Sequence, residues 1–291
     1  MKSAPFSYVR PDSVQAALRV LDDHAGSARV LAGGQSLVPM LQMRLMQLDA
    51  LVDINVLEGL DEVRAAGAET VLGPLVRYAT IEKLALVSER LPLLQCVTRY
   101  VGDPQVRNRG TIGGSLAQAD PTGEIPLACL ALDATIVAAS LSGTRQIAID
   151  DFLVSSYTTA LEPEEMITEI RFPLAPHHFA FLERNRKHND FAVINVAVVG
   201  RRSNDDRWSD LRIVLGGVSD RAVLAAESAA SLEGTTLEED AIAEAAQLAL
   251  DVIDPPSDIR GSAEYRRHLV PIYVRRALRK LRDDHQHAYV A

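Results

Sequence analysis

Two Gly-Gly pairs, each followed closely by a serine, are the parts of this chain best suited to hold a ligand. They are Gly33-Gly34-Gln35-Ser36 and Gly113-Gly114-Ser115. Glycine lets the backbone turn sharply and lets another group approach closely. Successive backbone N–H groups in such a turn form a concavity that suits an anion. Ser36 and Ser115 could each add a hydroxyl hydrogen bond. Arg107 and Arg109 stand just before the second pair, and Asp120 and Glu124 follow it. Carboxylates accept from hydroxyls such as those of a ribose. A single Gly-Gly-Ser is more often an ordinary turn, but two of them suit a diphosphate. Neither is G-x-G-x-x-G or G-x-x-x-x-G-K-[ST], so the Rossmann and P-loop readings lose their main support. A serine nucleophile needs a histidine base and an orienting acid. No histidine falls in either stretch, so the serines read as ligands.

The first pair follows a strand at 29–32 and precedes a helix at 37–45, a common place to hold phosphate. Ahead of it, an extended entry segment at 6–11 leads to a helix at 14–23, capped by Asp12 or Ser13. Further strands are expected at 51–54, 62–66 and 70–75. Thr80 reads as the cap of a helix at 81–87, followed by helices at 91–100 and 126–132. Runs at 134–140 and 144–149 flank Ser142-Gly143 and predict a strand pair. A strand at 165–172 ends at Pro173-Leu174-Ala175-Pro176, the expected domain boundary. Beyond it, runs at 179–187, 192–202 and 210–218 predict a three-stranded antiparallel sheet. Thr236-Leu237-Glu238-Glu239 reads as a capping box for a helix ending near 253. Ser262 caps a last helix at 263–281, which Pro271 should kink or break.

The chain has 291 residues, enough for two domains, and 47% of them are apolar. A net charge of −9 argues against nucleic acid as a partner. No apolar stretch approaches the roughly 20 residues of a membrane helix, and the first ten residues hold no signal-peptide run. Cys96 and Cys129 are the only cysteines, each among apolar neighbours. They read as reduced core residues in a cytoplasmic setting. Without further cysteines the chain cannot ligate an iron–sulfur cluster in the usual way. His285-x-His287 and His177-His178 read as a solvated tail and a linker rather than metal sites.

Ala32–Leu45 (AGGQSLVPMLQMRL) and Gln105–Pro126 (QVRNRGTIGGSLAQADPTGEIP) resemble the flavin, or medium, subunits of the molybdenum hydroxylases of the carbon monoxide dehydrogenase and xanthine dehydrogenase type. The resemblance extends to 183–199 (ERNRKHNDFAVINVAVV) and 265–278 (YRRHLVPIYVRRAL), in order along nearly the whole chain. It implies an α+β fold. A two-lobed FAD-binding domain at 1–175 would be followed by a small domain at 176–285 with the three-stranded sheet and helices, then a loose tail at 286–291.

The resemblance places the FAD pyrophosphate on Ala32, Gly33, Gly34, Gln35 and Ser36, and on Thr111, Gly113, Gly114 and Ser115. It places Glu124 and Asp120 near the adenosine, and Val101 and Ile167 in the adenine or ring pocket. Phe191 would pack near the reactive edge of the flavin, or else be a core residue at a strand start. Arg184, Arg186, Lys187 and His188 would contact flavin phosphate or an acidic partner, or face solvent. Some flavoproteins bind flavin covalently through a histidine where Gln35 stands; glutamine cannot, so FAD should be non-covalent.

The implied function is electron transfer inside a complex. An iron–sulfur small subunit would carry the [2Fe–2S] clusters, and a molybdopterin large subunit the molybdenum cofactor. The assembly would be a dimer of heterotrimers reducing an external electron acceptor. A free-standing FAD-dependent oxidoreductase, and a nucleotide-binding module without a redox role, are the alternatives.

Overall fold

The structure is a computed structural model describing residues 2–24, 26–174, 178–187 and 189–283. The expectations for His177, His188, His285, His287 and the tail lie outside these residues, as does the residue pair 175–176 at the expected boundary.

The first lobe is a parallel sheet of Ser7–Val9, Ala50–Asp53 and Ala28–Leu31, with Ala50–Asp53 in the middle. All four residues of the middle strand are buried, the apolar run 50–52 ending at the buried carboxylate of Asp53. Helix Val14–Asp23 packs on this sheet through Ala17, Leu18 and Leu21, and Ser13 caps it by accepting from the Ala16 N–H.

The second lobe is a five-stranded antiparallel sheet. Its order is Val63–Ala66, Glu69–Leu72, Met166–Phe172, Thr135–Ser140 and Gly143–Ala148. Helices Pro92–Thr98, Ile112–Gln118 and Glu124–Ala131 contribute to its core. Every residue of Glu124–Ala131 after Glu124 is buried. A helix apolar all round needs cover on all sides, and the last domain supplies it. Phe181, Ala197, Val199 and Val214 join the same core.

That last domain pairs His178–Arg184, Ile194–Arg202, Trp208–Gly216 and Val223–Leu224 into an antiparallel sheet. The expected three strands gain a fourth, two residues long. Helices Glu239–Leu248 and Ala263–Asp283 cover its other face. His178 is a strand residue with its ring edge-on to Trp208, not part of a linker.

Several local expectations yield to packing. Thr80 caps nothing. The helix runs Tyr78–Ile81, burying Tyr78 and Ile81, and a separate helix spans Ala85–Arg90. The helix after the first Gly-Gly pair stops at Gln42, and Arg44 turns to φ 59°. The capping box does not form. Thr236 donates instead to Glu238 at 2.7 Å, and Leu237 is driven fully into the core at φ 57°. Pro271 neither ends nor splits helix Ala263–Asp283, whose buried Leu269, Val270, Val274 and Leu278 anchor it on both sides of the proline. Proline inside a helix costs about 3 kcal/mol, which such burial readily offsets. Among the described residues no helix is long and apolar enough to cross a membrane.

Candidate functional site

The carboxyl ends of the three parallel strands open onto a cleft of about 650 Å³. Ligands in open α/β sheets gather at this end of the strands. Tyr8 and Arg10 come from the end of the first strand, Leu31–Gln35 from the second, and Asp53 and Asn55 from the third. Arg77 and Arg109 close the cleft from the other lobe.

Gly34 sits at φ +71°, which turns the chain from strand to helix. Gly33 lies against the other lobe: a β-carbon there would stand 2.4 Å from the Arg109 carbonyl oxygen and 2.9 Å from Gly110 Cα. Among the described residues the backbone N–H groups of Gly33, Gly34, Gln35 and Ser36 have no protein acceptor. Gln35 folds its side chain back to donate to the Gly33 carbonyl at 3.1 Å, while the Ser36 side chain caps nothing.

The polar floor of the cleft was not foreseen. Asn55 donates through Nδ2 to the Ala32 carbonyl at 2.9 Å and to Asp53 at 2.6 Å. Tyr8 donates its hydroxyl to Asp53. Burial pushes the Asp53 carboxyl up, but hydrogen bonds from Tyr8 and Asn55 outweigh it and hold the group below its ordinary value. The Arg77 guanidinium donates to Asn55 Oδ1 and to the Arg109 carbonyl. Burial, then the neighbouring Arg109 charge, pulls its pKa down. The signal for Tyr8, Arg10, Asp53 and Asn55 was their place at or just beyond the carboxyl ends of strands in one parallel sheet. That sheet could not be assembled from strings of four residues.

The second Gly-Gly pair is not a loop. Thr111 is the N-cap of helix Ile112–Gln118, accepting from the Gly114 N–H at 3.1 Å, so Gly113, Gly114 and Ser115 form its first turn. Ile112 donates to the Val76 carbonyl, Gly113 to Pro74 and Ser115 to Thr111. The concavity of free amides expected here is therefore absent; these donors are used by the protein. Gly113 serves close packing, since a β-carbon would meet Pro74 at 2.4 Å. The Ser115 hydroxyl pairs with the buried Tyr78 phenol, whose pKa burial pushes up.

The remaining candidates lie elsewhere. Asp120 and Phe191 line a smaller cleft of about 140 Å³ between the domains, with Tyr157, Asp258 and Arg260. Phe191 is 54% exposed, so it is not a core residue, and the Arg260 guanidinium lies 4.7 Å from its ring centre. Val101 is half-buried and its carbonyl accepts from Arg107. Ile167 is buried in the core of the second lobe and lines neither cleft. Of the basic run, Arg186 donates to the Ile259 carbonyl, and Arg184 and Lys187 are exposed.

Glu124 opens helix Glu124–Ala131, where burial, helped by the Asp120 charge, pushes its carboxyl up to about 7. Burial, then the Glu124 charge, pushes Glu183 up to about 8, although Asn185 donates to it at 3.0 Å. The unfolded chain releases these protons near the ordinary glutamate value of about 4.3. The contribution of these two groups to native stability is thus fully present below that pH and is lost as pH rises towards 7–8, where the folded groups ionise. Glu183→Gln should flatten the fall in melting temperature between pH 5 and pH 8. An unchanged slope would remove Glu183 as its source.

Residues 4–175 match the family described as FAD binding domain in molybdopterin dehydrogenase, and residues 179–281 match CO dehydrogenase flavoprotein C-terminal domain. The chain belongs to the FAD-binding medium subunits of the molybdenum hydroxylases. It is 39% identical over 282 residues to the 6-hydroxypseudooxynicotine dehydrogenase complex subunit alpha of Paenarthrobacter nicotinovorans, covering 96% of this chain and 95% of the relative. It is 36% identical to the glyceraldehyde dehydrogenase medium chain of Sulfolobus acidocaldarius, covering 95% of this chain and 98% of that one. Among solved structures, a chain of the carbon monoxide dehydrogenase of Hydrogenophaga pseudoflava superposes with a TM-score of 0.93 at 35% identity, covering 97% of this chain and 98% of its own. This medium subunit therefore has the two-domain α+β architecture of its family and is the flavoprotein part of a multi-subunit oxidoreductase.

Proposed function

We propose that this medium subunit holds FAD non-covalently, with its diphosphate in the 650 Å³ cleft, and passes electrons from [2Fe–2S] clusters of a small subunit to an external acceptor. The observation that carries the placement is the row of N–H groups at 33–36 that have no acceptor among the described residues, beside a cleft that Gly33, Gly34 and Gln35 line and that also presents Arg10 and Arg109. Amide donors and guanidinium groups are what a diphosphate requires, so the residues present fit the group. When bound, FAD supplies the redox chemistry, and the protein supplies position and electrostatics.

Thr111, Gly113, Gly114 and Ser115 belong to this reading as the packed segment behind Arg109, rather than as amide donors. Asp120 and Glu124 are read as the hydroxyl-binding carboxylates. The exposed ring of Phe191 is read as the aromatic contact of the flavin, and Val101 as a pocket wall. The core position of Ile167 argues for an indirect role there. The domains divide at 175/176, with the second ending near 285.

The molybdenum cofactor belongs in this reading to a large subunit, and the heterotrimer pairs into a dimer, as the resemblance implies. The free thiols of Cys96 and Cys129 support a cytoplasmic setting. Relatives named for a nicotine derivative, an aldehyde and carbon monoxide share this architecture. That spread supports assigning the substrate to another subunit, with no substrate acid or base here.

The isolated chain should bind about one FAD and neither iron nor molybdenum. Dithionite should bleach its flavin band anaerobically, whereas the substrate of the complex should do so only when the other subunits are added. Rapid bleaching by substrate alone would favour a free-standing enzyme instead.

A further inference from the structure

We propose, resting on the cleft being the cofactor site, that Arg77 is a positioning residue locking segments 32–36 and 109–111 into one clamp. Asn55 links the first segment to Arg77, since its Nδ2 grips the Ala32 and Leu31 carbonyls at 2.9 and 3.3 Å while its Oδ1 accepts from the Arg77 guanidinium. The other arm of that guanidinium donates to the Arg109 carbonyl. This is the same oxygen on which Gly33 packs, where a β-carbon would stand 2.4 Å away. Arg77 therefore holds from one side a group that the first segment touches from the other.

Its backbone reinforces the arrangement. Arg77 bridges to Thr111, the Tyr78 N–H donates to Gly110 at 3.2 Å, and the Ile112 N–H donates to Val76 at 3.1 Å. The planar fork matters here. A lysine ammonium is a point donor on a flexible stem and cannot hold both oxygens in fixed geometry. The lobes have separate sheets but share a core through Leu75, Ala139 and Met166, and the bridge adds to that packing a polar link which fixes the amides of 33–36 relative to Arg109.

The test uses the full chain stripped of FAD and titrated separately with FAD and with ADP, which carries the diphosphate without the flavin. Arg77→Met and Arg77→Lys should each weaken both ligands by about 10–100-fold, the worth of a charged hydrogen bond or two. The factor should be alike for FAD and ADP, with the far-ultraviolet circular dichroism of the parent retained. The double variant Asn55→Ala/Arg77→Met should bind within about threefold of the weaker single variant, because one bridge cannot be broken twice. Parent-like FAD and ADP affinity in Arg77→Lys, or additive losses in the double variant, would overturn the positioning role. Gly34→Ala serves as the check on the cleft itself. If Gly34→Ala also binds FAD like the parent, the cofactor reading fails, and the role of Arg77 falls with it.

Discussion

Gly33→Ala is expected to weaken FAD binding by about 10–100-fold. The added β-carbon would stand 2.4 Å from the Arg109 carbonyl oxygen and 3.1 Å from its carbon. Both are backbone atoms, and the oxygen is already held by Arg77, so neither can rotate away. Relief requires the two segments to part. Overpacking of this kind costs about 1–3 kcal/mol, and each 1.4 kcal/mol taken from the bound state is about tenfold in affinity. Gly34→Ala should weaken binding by a different route. At φ +71° the alanine is strained by about 1–2 kcal/mol, and its β-carbon meets Leu31 and Val38 side chains at 3.2 Å. Gly67 isolates the strain. Its φ is +63° with nothing within 4 Å of the β-carbon position, so Gly67→Ala should lower the melting temperature and leave FAD content alone. The ratio of flavin to protein absorbance after desalting, beside a melting curve, reads all three. Full flavin content in Gly33→Ala would move the cofactor out of this cleft.

The same residues show where sequence reading works and where it stops. Helix Val14–Asp23 was legible to the residue, because a serine cap and an apolar face at positions 17, 18 and 21 agree with each other. Gly33 and Gly34 were legible as a sharp turn from strand to helix, which the φ of +71° at Gly34 bears out. The role of Gly113 was not. Its close partner is Pro74, some forty positions earlier, and no local pattern shows a contact that only the closed lobe creates. Asn55 follows the strand expected at 51–54, but neither it nor Arg77 stood out as a partner of the other. Their pairing needs the two lobes face to face. Thr236 and Pro271 misled for a related reason. Capping and proline rules state the preference of an isolated segment, whereas Leu237 and the apolar face of Ala263–Asp283 answer to a core built from the whole domain. The candidates themselves fall into two clefts and a core, a division that side-chain chemistry alone does not foretell.

Arg266→Met should strongly destabilise the second domain. Arg266 is 1% exposed, on the buried face of helix Ala263–Asp283. Its Nη1 donates to the Val193 carbonyl and, at 2.7 Å, to the Gly217 carbonyl; its Nη2 pairs with Asp258 at 2.8 Å. Methionine matches much of the stem but supplies no donor. Two buried carbonyls would lose their partner, and Asp258 would lose a cation that helps hold its carboxyl below the ordinary value, against the opposing effect of burial. Breaking a buried charged network from one side typically costs about 3–5 kcal/mol. The lower part of that range is expected, because the Asp258 side chain is 36% exposed and water screens it in part. The damage should reach the small cleft. Gly217 N–H donates to Pro121 at 2.8 Å, next to Asp120, and the loop carrying Asp258 also carries Arg260, whose guanidinium lies on Phe191. Arg266→Lys should recover part of the loss by keeping one donor and the charge. Urea unfolding followed by Trp208 fluorescence reports this domain directly, since Trp208 is buried in its core. A midpoint for Arg266→Met equal to the parent's would show that the guanidinium adds nothing to the docking of the last helix.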